Sequence, residues 1–116
     1  MASNPIHSLF RTAILGQVVV DVVRDEDGLG IRLAAGWDIS VWSACSLHAR
    51  GEEIDLRRVS EIIGASLVEF VRDRNHERLV FSRGHEVIVD LDARSASQPE
   101  AMMVRGPNSL IVVWND

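Results

Sequence analysis

The chain has 116 residues, with 17 acidic side chains against 12 basic ones, a formal net charge of −5 and one cysteine. That length fits one domain, read as 1–116, able to bury roughly two-thirds of its unfolded surface without a disulfide or metal staple. Every basic residue is an arginine and the single thiol is Cys45, which excludes lysine Schiff-base and P-loop chemistry and any internal disulfide framework.

The start, Met1-Ala2-Ser3-Asn4-Pro5, lacks the basic and apolar stretches of a signal peptide, and no apolar run approaches membrane-spanning length. With an unpaired thiol this predicts a cytoplasmic protein that does not enter the membrane. Residues 6–15 read as a short helix stopped by Gly16. Val18, Val20 and Val22 then alternate with Val19, Asp21 and Val23, a strand whose first set faces the core. Asp25-Glu26-Asp27-Gly28 signals a hairpin. Leu29, Ile31 and Leu33 share the apolar face of a second strand, Ala35-Gly36 turns the chain, and Trp37, Ile39 and Val41 share that of a third.

Glu52, Glu53 and Asp55 fall where a turn or helix start is expected. Residues 55–63 read as a short helix, with Asp55 as cap, Leu56, Val59, Ile62 and Ile63 on one stripe, and Gly64 as terminator. Residues 67–72, 79–82 and 85–90 form three more strands, with the Arg83-Gly84 turn between the last two. Residues 93–99 read as a loop, and 102–105 and 110–114 as a final hairpin around Gly106-Pro107-Asn108-Ser109.

The two halves repeat. Shifted by 48 residues, 14–42 lies on 62–90 without a gap, and Ile14, Gly16, Val23-Arg24-Asp25, Gly36 and Val41 meet Ile62, Gly64, Val71-Arg72-Asp73, Gly84 and Val89. Average composition predicts roughly two such identities by chance. The expected fold is therefore α+β and predominantly β: two repeated antiparallel three-stranded meanders, a C-terminal hairpin and one or two short helices, about eight strands in all. The pattern leaves open whether the sheets form a sandwich or an open barrel.

The residues Ile62-Ile63-Gly64, Leu79-Val80-Phe81, Gly84, Val87-Ile88-Val89, Pro99-Glu100-Ala101, Gly106-Pro107 and Ile111-Val112-Val113-Trp114 resemble a family of small bacterial domains. Its members are similar to immunity proteins of polymorphic toxin systems, including contact-dependent growth inhibition. The shared motifs are structural, turn glycines and apolar strand positions, and supply no catalytic residue. Met102 stands where the family pattern often has an aromatic. The resemblance implies an immunity protein whose partner is a cognate toxin, specifically its basic C-terminal toxin domain.

The remaining constellations point away from catalysis. His7, His48, His76 and His85 lack metal-ligand spacing, and Cys45 and His48 lie at an odd offset on one extended segment, which places them on opposite faces. Asp27-Gly28-Leu29-Gly30 lacks the helix a phosphate loop needs. His76 and His85 are expected to face solvent. No enzyme activity, cofactor or metal is expected, and the acidic balance disfavours direct nucleic-acid binding. The candidate partner-binding residues are Asp25, Glu26, Asp27, Asp38, Glu52 and Glu53, whose carboxylates can meet a basic cleft, with Trp42 as apolar anchor. Acidic turns are also ordinary solvated features, and Trp42 could instead pack beneath the segment around Leu47. The alternative functions are a small-molecule-binding or accessory β-domain with a shared pocket at the repeat dyad, and self-association through strand edges. Either a monomer or a weak dimer is expected.

Overall fold

A computed structural model describes residues 11–26, 28–92, 101–107 and 111–114. Ten strands are present: β1 (Val19–Asp25), β2 (Gly28–Leu33), β3 (Asp38–Val41), β4 (Cys45–Ala49), β5 (Glu52–Ile54), β6 (Leu67–Asp73), β7 (His76–Phe81), β8 (His85–Asp90), β9 (Met102–Arg105) and β10 (Ile111–Trp114). The protein is mostly β, in two antiparallel five-stranded sheets ordered β1-β2-β3-β9-β10 and β5-β4-β8-β7-β6. Their inner faces share one apolar core, in which Ile31, Leu33, Ile39, Leu47, Leu67, Leu79, Phe81 and Met102 are almost wholly buried.

The 48-residue repeat is visible in the backbone itself. β1 and β2 begin and end 48 residues before β6 and β7. Each first strand carries its irregularity at the same place, Val19/Asp21 and Leu67/Glu69. Each second strand runs into a short 3-10 turn, Ala34–Gly36 or Ser82–Gly84, whose middle residue has positive φ. The halves meet at an antiparallel bridge between Val18 and Ser66, themselves 48 apart. Around it the hydrogen bonds are reciprocal: Gly16 N–H donates to the Leu67 carbonyl at 2.7 Å and Gly64 N–H to that of Val19 at 2.8 Å. Likewise Val19 N–H donates to Ala65 and Leu67 N–H to Gln17. These bonds define a pseudo-twofold axis filled by backbone.

The repeats also exchange strands. β4 follows the first meander but pairs with β8 of the second, and β9 follows the second meander but pairs with β3 of the first. Each sheet is thus one repeat's meander completed by the other repeat's hairpin.

Several expectations need correction. The pattern predicts about eight strands and ten form among the described residues: Glu52 and Glu53 belong to edge strand β5, which closes a hairpin with β4, rather than to a turn or helix start. Arg50 and Gly51, both at positive φ, make the tight turn that such a hairpin needs. Val18 and Val20 are exposed while Val19 is buried, because the irregularity after Val19 shifts the side-chain alternation by one. The segment Leu56–Ile62 is a 3-10 helix capped by the Asp55 carboxylate, which accepts from Arg57 N–H at 2.8 Å. Three residues per turn align Leu56, Val59 and Ile62 on the core and leave Ile63 exposed. The first helical segment covers 11–14, its predicted start lying outside the described residues, as does the loop 93–99. His85 is half-buried, with Nε2 at 3.1 Å from Glu61 Oε1, rather than solvent-facing; His76 is exposed as expected.

Candidate functional site

Strand pairing arranges the outward side chains of the first sheet in rows that cross it. One row runs Asp21, Arg32, Asp38, Arg105, each directly opposite the next on β1, β2, β3 and β9. It is a ladder of alternating charge. Its Arg32–Asp38 link is 3.5 Å long between side chains that are 68 % and 45 % exposed, so it holds loosely. The next row runs Val23, Gly30, Ser40, Met103. Beyond it Asp25 pairs with Gly28, whose backbone lies against that of Val41 and Trp42.

The middle row is low. Gly30 and Ser40 provide almost no side chain, so a groove crosses the sheet between the charged row and Trp42. One part, of about 230 Å³, is lined by Asp21, Val23, Gly30, Ser40, Met103 and Arg105 among others. A second, of about 280 Å³, continues from Val23, Gly30 and Ser40 to Asp25, Gly28 and Trp42. On the far side of Trp42 a further hollow of about 290 Å³ is bordered by Arg24, Asp25, Glu26, Cys45 and Leu56.

Of the residues singled out in the sequence, Asp25, Glu26, Asp38 and Trp42 converge here. Trp42 is half-buried and lies on the outer face with Asp38 and Ser40. Glu52 and Glu53 lie apart from this group, on the edge of the second sheet. Asp27 lies outside the described residues. Sequence reasoning missed Gly30, Ser40, Arg32, Met103 and Arg105; the available signal was a glycine inside an alternating strand, opposite an arginine in the repeat.

Other reactive groups are placed for structure. Cys45 packs with Leu47 against the core, and burial pushes its thiol pKa up. His48 lies on the opposite face, where Nε2 is 2.9 Å from Ser46 Oγ. Glu77 is fully buried and clamped by Arg11, whose Nη2 and Nη1 reach its carboxylate at 2.6 and 3.2 Å. Among the described residues no three His, Cys, Asp or Glu side chains are grouped to hold a metal ion, and no helix is long and apolar enough to cross a membrane. No family model, curated protein or solved structure matches the chain.

Proposed function

We propose that this chain is a non-catalytic binding protein of the immunity type, which neutralises a cognate toxin by covering its active site or substrate cleft. The surface that does so is the outer face of the first sheet. The observation that carries the reading is the groove itself: a sheet face lowered at its centre to Gly30 and Ser40, edged by a half-buried tryptophan, three aspartates and two arginines. Such a face can receive protruding side chains, with Trp42 as a hot-spot anchor and carboxylates steering a basic partner. The excess of 17 acids over 12 bases and the resemblance to immunity proteins favour a basic toxin, with a nuclease the first class to test.

The test is to co-express the chain with the product of the gene immediately upstream, then measure toxicity and complex formation on purified proteins. Protection and a stable complex are expected, both weakened by Trp42→Ala combined with Asp25→Asn. Full toxicity with no complex refutes the reading.

A further inference from the structure

The groove has a counterpart within the same molecule. On the outer face of the second sheet the row equivalent to Val23, Gly30, Ser40, Met103 is Val71, Arg78, Ile88, Ser46. There Arg78 occupies the place of Gly30, and a hollow of about 260 Å³ lies at the other end of the row beside Ser46, Ile88, His76 and Asp90. Arg78 clamps the Glu86 carboxylate, Nε at 2.8 Å from Oε1 and Nη2 at 3.1 Å from Oε2. Asp73 and Glu69 add attraction for the same guanidinium.

All three of those acids have equivalents on the first sheet: Asp21 for Glu69, Asp25 for Asp73 and Asp38 for Glu86. The arginine has none, because Gly30 stands in its place and Ser40 in that of Ile88. The fold does not require that glycine. Gly30 lies outside the positive-φ residues, and an added Cβ would meet nothing nearer than the Val23 carbonyl oxygen at 3.8 Å. Gly28, two residues earlier, shows what a required glycine looks like: its Cβ would run into the Val41 carbonyl oxygen. A dispensable glycine inside a strand marks a place where something else approaches the backbone. Arg32 and Arg105 flank Asp38 from the neighbouring row and line the same hollow, which is open over Gly30 and Ser40.

We propose that the groove accepts an arginine side chain from a protein partner, laid over Gly30 and Ser40 as Arg78 is laid over the second sheet. Its stem lies over the row between Val23 and Met103 and its guanidinium meets the carboxylates of Asp21 and Asp38, while Asp25 and Trp42 border the other end of the groove. Arginine fits better than lysine because a planar fork can pair two-pronged with a carboxylate. The inference rests on the reading of this face as a binding surface and is independent of what the partner does.

The experiment titrates ¹⁵N-labelled protein with N-acetyl-arginine amide and, separately, N-acetyl-lysine amide. Saturable shifts are expected at the Val23, Gly30 and Ser40 amides and the Trp42 indole N–H, with dissociation constants in the millimolar range for so small a probe. The lysine probe should bind more weakly, by roughly threefold or more. Gly30→Arg, which copies the second sheet, should abolish the shifts, and Asp21→Asn and Asp38→Asn should weaken them. Absence of saturable shifts, equal binding of both probes, or binding that survives these substitutions overturns the proposal. If Gly30→Arg fails to fold, the two aspartate variants decide. An arginine site in a protein that forms no complex with the upstream product would sink the toxin reading alone. A complex that Gly30→Arg leaves intact would sink the arginine site alone.

Discussion

The Arg11–Glu77 pair offers the sharpest test of the physical reasoning, because the repeat supplies its own control. Glu77 is 0 % exposed, and Arg11 grips it with two nitrogens while a third bond, Nη1 to the Phe70 carbonyl at 2.8 Å, and the Phe70 ring 4.9 Å away fix the guanidinium. Forty-eight residues away the equivalent positions are Val59 for Arg11 and Leu29 for Glu77, both buried. Arg11→Val removes the two-pronged partner from a fully buried carboxylate and should cost about 3–5 kcal/mol. For a domain of this size that is a fall in Tm of roughly 12–20 °C, a large part of a total stability of about 5–15 kcal/mol. Arg11→Val with Glu77→Leu recreates the other repeat's apolar pair. Because buried ion pairs are often replaceable by packed apolar groups, it should recover most of the loss. The assay is urea unfolding of wild type, both single variants and the double variant, analysed as a double-mutant cycle. A double variant no more stable than Arg11→Val refutes the claim that the unbalanced charge, rather than lost packing, sets the cost.

Four further outcomes are expected. Gly30→Ala should raise stability by about 0.5–1 kcal/mol in urea unfolding, since the site is open and its backbone conformation suits any residue. Gly28→Ala should lower stability, because its Cβ would collide with the Val41 carbonyl oxygen. The Asp55 carboxyl, held down to about 2 chiefly by the Arg57 side-chain hydrogen bond, should titrate by NMR near that pH, and Arg57→Ala should return it toward 3.8. Since its folded pKa lies below the unfolded one, its contribution to stability is full above pH 3.8 and disappears as pH falls through 2. Cys45, half-buried with its thiol pKa raised by burial, should react more slowly with a thiol reagent at neutral pH in the folded protein than in urea.

The meanders were readable because each is local: turn glycines and period-two alternation lie within short stretches of chain, and the 48-residue offset shows the same pattern twice. The β4–β5 hairpin was not, since Glu52 and Glu53 on an exposed edge strand present no apolar face to make an alternation. Nor could the exchange of hairpins be read, as the partners Ser40–Met103 and Ser46–Ile88 are far apart in sequence. The extra residue at Val20 defeated the facing of the start of β1, reversing Val18 and Val19 relative to Val22, which packs on the core as expected. As for the site, Asp25, Asp38 and Trp42 stood out by residue type, but the groove is made of missing side chains. Only a comparison of the two halves exposes it, Gly30 against Arg78 and Ser40 against Ile88.

The exchanged hairpins make the molecule a dimer tied into one chain. A polypeptide of half this length would carry a bare β3 edge until another copy lent it two strands, and its stability would rise and fall with its concentration. Joining the copies turns that bimolecular encounter into a first-order event. It also frees the two faces to diverge, so that one carries Arg78 where the other carries Gly30.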